Sequence, residues 1–121
     1  LSHHQNKQEK IDEIRKIDRF LAQQYAYFVE KLKATPDGAG SLLDQSMILY
    51  GSGISDGNRH DHHDLPVVIA GKAGGTIATG RHLKLKDQIP MNNLFLSMLD
   101  RVGARVDSIG DSSGRLKGLE G

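Results

Sequence analysis

Apolar residues recur at the helical period through the first third of the chain. Ile14, Ile17, Leu21, Tyr25, Phe28 and Leu32 follow one another at steps of three and four, with Glu13, Arg15, Lys16, Glu30 and Lys31 between them. This spacing predicts an amphipathic helix over 8–34, capped at its start by Asn6 and stopped by Thr35-Pro36-Asp37-Gly38, because a residue before proline is driven to extended geometry. At the α-helical rise it would be about 40 Å long, a rod that calls for a sheet to lie across.

The pattern then changes. After a Gly/Ser turn at 37–41, Ser46-Met47-Ile48-Leu49-Tyr50 and Leu65-Pro66-Val67-Val68-Ile69-Ala70 read as two strands of nearly continuous apolar character, the first bounded by Gly51 and Gly53. Such strands need cover on both faces and are expected to run parallel or to share a mixed sheet. Gly71-Lys72-Ala73-Gly74-Gly75 reads as a turn, and Thr76-Ile77-Ala78 with His82-Leu83-Lys84-Leu85 as a hairpin around Thr79-Gly80. Pro90 suits the first turn of a second helix. Its stripe is Met91, Leu94, Phe95, Met98, Leu99 and Val102, and Gly103 ends it. Residues 106–121, rich in Gly, Ser and Asp, read as a loop or tail. No repeat is present, so the 121 residues predict a single α/β domain, with the long helix packed on a small sheet.

Composition narrows the classes of function. Sixteen Lys and Arg against 15 Asp and Glu leave a formal charge of +1, with no basic excess of the kind nucleic acid attracts. There is no cysteine, which removes disulfide scaffolds and thiolate metal sites. No apolar run is long enough to span a membrane. The polar start Leu1-Ser2-His3-His4-Gln5-Asn6 reads neither as a signal peptide nor, lacking Met, as an initiation site, and suggests an excised segment.

The chemistry is concentrated between the two strands. Three of the six histidines (His60, His62, His63) and three acids (Asp56, Asp61, Asp64) fall between residues 56 and 64. Imidazole with carboxylate suits zinc, manganese or iron and, with water added, harder ions such as calcium. If 59–64 is extended, His60, His62 and Asp64 share one face and Asp61 and His63 the other, so the first set would bind one ion and the second orient it. The bland alternative is a solvated polar loop. His3-His4 are either further ligands or inert, and His82 reads as surface. Gly110-Asp111-Ser112-Ser113-Gly114 has the spacing of a nucleophile elbow without the strand before it or the helix after it. Gly71–Gly75 lacks the Gly-Lys-Ser/Thr ending of a phosphate loop.

Several runs together resemble an uncharacterised family of exported bacterial proteins. They are Leu1-Ser2-His3-His4-Gln5, the stretch from Ser46 to Gly53, Asp56-Gly57-Asn58-Arg59-His60-Asp61-His62, the stretch from Leu65 to Gly71, Pro90 to Asp100, and Asp107 to Leu116. The likeness covers essentially the whole chain and corresponds to the C-terminal part of longer proteins. That family is similar in turn to the alkaline phosphatase and sulfatase superfamily, which implies part of a three-layer α/β/α fold with metal ions at the strand ends. In its nearest relatives an Asp-Thr-His precedes the long helix, where Ser2-His3-His4 stands here, and an acid and Arg-Asp-His-Trp follow the next strand, where Asp56 and Arg59-His60-Asp61-His62 stand. The resemblance thus implies His4, Asp56, His60 and His62 as metal ligands, with Asp61 a ligand or its orienting partner. Ser2 replaces an acidic ligand, and Asp56-Gly57 replaces the usual Asp-His.

The superfamily's nucleophile comes from an N-terminal half that this chain does not contain. The expectation is a fragment of an exported (periplasmic or extracellular) metal-dependent phosphate or sulfate ester hydrolase-like protein, inactive alone because nucleophile and metal must act together. A piece of a layered fold is also expected to expose apolar surface and to form homo-oligomers through it. The alternative is a non-catalytic binding or surface protein that reuses the fold.

Overall fold

The computed structural model describes residues 2–121; Leu1, quoted in the resemblance, lies outside them. The chain is a small mixed α/β protein with one long helix and two small antiparallel sheets, in the order α1 (Gln8–Ala34), β1 (Pro36–Asp37), β2 (Gly40–Ser41), α2 (Leu42–Gln45), β3 (Ile48–Gly51), β4 (Val67–Ala70) and α3 (Met91–Arg101). It divides into two compact units. One runs through Leu42 and takes in Ile48–Ile69; the other comprises Leu43–Met47 and Ala70–Gly121.

In the first unit, α1 occupies the span its periodicity predicts. Glu9 in its first turn and Lys31 and Lys33 in its last complement the helix dipole. Asn6 is not the cap. It sits at φ 58° and donates its N–H to His4 Nδ1, while Lys7 takes the cap position without a side-chain bond. The helix ends as expected: Thr35 is extended before Pro36, and its hydroxyl donates to the Lys31 carbonyl. The Gly/Ser turn that follows closes a minimal hairpin, with Pro36 opposite Ser41 and Asp37 opposite Gly40.

β3 and β4 pair with each other alone among the described residues, and they run antiparallel; the Ser52 N–H donates to the Pro66 carbonyl at 3.3 Å, where the two strand ends meet. The parallel or mixed arrangement is therefore corrected. A parallel pair needs a crossover connection, usually a helix, and the segment 52–66 has turns and bends instead. Cover on both faces is also absent: Val68 is 53% exposed. One side meets α1, where the Tyr25 hydroxyl donates to the Ile48 carbonyl at 2.9 Å and its ring stacks on Tyr50 at 5.1 Å.

No α1 side chain is buried. Of the expected stripe, Ile14, Tyr25 and Leu32 are half-buried, together with Ile11 and Val29, whereas Ile17, Phe20, Leu21 and Phe28 are exposed. The helix thus touches its unit at both ends and leaves its middle open.

The second unit holds the core: Ile77, Leu94, Leu96 and Leu119, with Asn93 and Ser97 buried among the polar residues. α3 begins after Pro90 and ends in a Schellman motif, the Ala104 N–H donating to the Leu99 carbonyl and the Gly103 N–H to that of Asp100, with Gly103 at φ 76°. Its buried residues differ from the predicted stripe: Val102 is 65% exposed, and Asn93, Leu96 and Ser97 turn inward. The reason is the C-terminal segment. It has no regular structure but lies along α3, with Leu116 N–H donating to the Asn93 carbonyl and Ser97 Oγ to the Leu116 carbonyl. The hairpin expected at 76–85 does not form. Left-handed backbone at Ala73, Gly74 and Gly75 turns the chain early, and Ala78 N–H donates to the Leu119 carbonyl rather than to a strand partner at 82–85.

Candidate functional site

The chemistry-bearing residues belong to the first unit, in the segment before α1 and the loop 52–66. That segment folds back over the loop. Gln5 N–H donates to Asn58 Oδ1 at 2.9 Å, and the backbone of Gly57 lies so close to Ser2 that an added Cβ would stand 2.8 Å from the serine Cβ. Glycine at 57 is what lets the two stretches meet. Ser2, His4, Ile14, Ser55, Asp56 and Gly57 line an open cleft of about 300 Å³ between them.

The loop is held by its own backbone. Ser55 N–H donates to the Asp61 carbonyl at 2.9 Å and Asp61 N–H to that of Asp56 at 3.1 Å, an isolated antiparallel bridge that brings Asp56 opposite Asp61. His60 is therefore the last residue of a tight turn, with φ 55°, and Asp64 is also left-handed at φ 48°. The extended geometry assumed for 59–64 does not exist, and with it goes the alternation that would have set His60, His62 and Asp64 on one face.

The imidazoles instead take separate partners. His3 and His60 face each other, Nε2 to Nε2 at 3.2 Å, with the rings edge to face at 4.7 Å. His4 accepts the Asn6 N–H on Nδ1 at 3.0 Å, so the neutral ring carries its proton on Nε2, 4.0 Å from Asp56 Oδ1. His62 donates from Nδ1 to the Gly53 carbonyl at 2.6 Å, which leaves Nε2 as its lone-pair nitrogen. His63 closes on Asp61 through both its N–H at 2.9 Å and its ring Nδ1 at 2.6 Å.

The carboxylates are committed as well. Asp56 Oδ1 accepts the N–H groups of Asn58 at 2.8 Å and Arg59 at 3.3 Å, and the Arg59 guanidinium approaches Oδ2 at 3.7 Å. For Asp61, the backbone N–H of His63, reinforced by the His63 ring, holds the carboxyl below the usual carboxylate range.

Of the five residues the resemblance implied as ligands, His4 and Asp56 meet, Asp61 is tied to His63, His62 to Gly53, and His60 to His3. Among the described residues no three histidine or acidic side chains converge on one point that could hold a metal ion. The pair His3–His60 was not legible beforehand, because it depends on where the N-terminal segment lands; Asp61 and His63, expected to share a face, do meet. His82 is exposed. The elbow-like Gly110–Gly114 is structural: Ser112 Oγ accepts the Ile109 N–H, and Ser113 is bound by Asn93. No helix among the described residues is long and apolar enough to cross a membrane. No family model, curated protein or solved structure matches the chain.

Proposed function

We propose that the histidine–aspartate cluster formed by residues 3–4 and 56–62 is the divalent-cation site of a phosphate or sulfate ester hydrolase-like protein. In this reading the chain is one part of a three-layer α/β/α parent. It supplies ligands to the ion but not the attacking nucleophile. The observation that carries the proposal is the return of the N-terminal segment over the loop, which sets His3 against His60 and His4 against Asp56. His4 and Asp56, an imidazole and a carboxylate distant in sequence, thereby line one open cleft, and theirs is donor chemistry a divalent ion takes. The apolar residues exposed along α1 fit a helix that a further layer of the parent covers, and they suit self-association when that layer is absent.

A bound cation would polarise an ester oxygen; the loop's bridge between Asp56 and Asp61 would keep the ligands in place. Titration calorimetry with zinc and manganese tests the reading. The wild-type chain is expected to bind and to weaken toward pH 5, because imidazole ligands must be deprotonated. A His60→Ala/His62→Ala double variant is expected to lose the heat. Equal heats from both proteins would leave the loop as solvated surface, consistent with the second reading, a non-catalytic surface protein. Simple phosphate and sulfate esters are expected to remain unhydrolysed by this chain with or without metal.

A further inference from the structure

The two ring nitrogens that face each other across the cluster carry a sharper conclusion, which rests on the cation-site reading above. We propose that His3 and His60 are the primary clamp for a transition-metal ion of the zinc class, each ligating through Nε2. The family pattern assigns no role to His3, since it stands where the relatives have threonine.

Zinc–imidazole bonds of about 2.0–2.1 Å at a tetrahedral angle separate two ligating nitrogens by about 3.3 Å. The His3 and His60 Nε2 atoms are 3.2 Å apart, close to that separation, and a turn of the two rings out of their mutual hydrogen bond would direct both nitrogens at one ion. Both rings are exposed, so an ion reaches them directly from solvent.

Both side chains are presented by backbone that is held from outside the pair. His60 stands at a left-handed turn fixed by the Asp56–Asp61 bridge. On the other side, the Lys10 ammonium donates to the His3 carbonyl at 3.3 Å, and Gln5 N–H is fixed to Asn58. The clamp is therefore assembled before the ion arrives, and less ordering is required on binding.

The neighbouring histidines are poorer candidates in this geometry. The His4 ring presents a protonated Nε2 to Asp56, and its Nδ1 lone pair already accepts the Asn6 N–H. His63 is closed on Asp61. His62 keeps a lone pair on Nε2, but its ring is engaged by the Gly53 carbonyl rather than by a second imidazole. Donor chemistry sets the class of ion: two neutral imidazoles suit zinc, cobalt, nickel or copper, whereas calcium and magnesium require oxygen. Catalytic zinc sites carry three protein ligands and one open position, so the two imidazoles would be completed by water or by a ligand from the rest of the parent.

Cobalt(II) and zinc binding to the full chain decide the matter, cobalt by its visible absorption and zinc by calorimetry. The proposal expects zinc to bind and calcium not to. It expects His3→Ala and His60→Ala each to weaken zinc by tenfold or more, while His62→Ala and His63→Ala change affinity less than threefold. His3→Gln, which keeps a polar group beside His60 but lacks the imidazole ligand, is expected to behave like His3→Ala while the circular dichroism of α1 is unchanged. Retention of zinc affinity in His3→Ala with loss in His62→Ala would overturn the clamp and leave the broader cation-site reading standing. A preference for calcium would overturn the clamp in the same way. Absence of binding by any divalent ion would overturn both and reduce the pair to an N–H···N hydrogen bond.

Discussion

Asn93 holds Ser113 with both ends of its carboxamide: Nδ2 donates to Ser113 Oγ at 3.1 Å, and Oδ1 accepts the Ser113 N–H at 2.8 Å. The same residue's carbonyl accepts the Leu116 N–H, so one buried asparagine anchors the C-terminal segment to α3 at several points. That segment makes no regular structure of its own, and its order depends on these side-chain and backbone bonds. Asn93→Ala removes both hydrogen bonds to Ser113 and is expected to lower stability by about 1–2 kcal/mol. Urea denaturation reads this as a lower midpoint at unchanged slope.

Leu96 is fully buried, whereas Leu21 on α1 is 45% exposed. Truncating each to alanine separates core from stripe. Leu96→Ala is expected to cost about 2–5 kcal/mol through lost transfer energy and a residual cavity. Leu21→Ala should stay within about 0.5 kcal/mol, since a helix surface position loses little packing and alanine favours the helix. A large loss in the Leu21 variant, measured by thermal unfolding at several concentrations, would show that the stripe is covered in solution.

Gly71 is buried at φ 98°, and a Cβ there would run into the carbonyls of Ser46 and Leu43. Those two carbonyls accept the Ala73 and Lys72 N–H groups, so the obstruction is backbone already engaged in the turn. Gly75 is also left-handed, at φ 91°, but faces open space. Gly75→Ala is expected to cost about 1–2 kcal/mol, the left-handed strain alone. Gly71→Ala carries the same strain plus the clash, and its midpoint should fall well below that of the Gly75 variant.

Arg115 binds the Asp100 carboxylate through Nε at 2.9 Å and through a terminal nitrogen at 3.1 Å. This pair holds the Asp100 carboxyl below the usual range, with Arg105 and Arg101 adding to the effect. A carboxyl depressed in the folded state stabilises it fully above the unfolded value near ~3.9, and the contribution is lost as pH falls through the lower folded value. Asp100→Asn should therefore differ from wild type at pH 6 and converge with it at pH 2. Urea midpoints across that range test the sign; a difference that grows toward pH 2 would refute it.

The boundaries of α1 and α3 and the positions of β3 and β4 follow from local pattern. A 27-residue stretch without Gly or Pro and with apolar residues three and four apart has few alternatives to a helix, and Pro36 and Gly103 act on the backbone next to them. Strand direction was not legible in the same way. The apolar runs at 46–50 and 65–70 describe how much surface wants burial, not which neighbour supplies it, and the loop 52–66 could have carried the chain in either sense. Its antiparallel return was decided by Ser52 meeting Pro66.

The candidate site divides along the same line. The gathering of His60, His62, His63, Asp56, Asp61 and Asp64 is a property of the sequence, as is the nature of their donor atoms. Their pairing is not. His60 turned out of the expected row because Asp56 and Asp61 bridge and force a left-handed residue between them. His3 entered because the segment before α1 folds back onto Asn58. Likewise Asn93 and Ser97, polar on paper, became buried because a distant and irregular segment brought carbonyls and hydroxyls to satisfy them. Periodicity and composition act over neighbours along the chain and so determined the helices, the strands and the stock of ligating groups. Strand direction, the partner of each imidazole and the polar face of the core depend on contacts tens of residues apart, whose energies are settled only when the whole chain competes for the same hydrogen bonds.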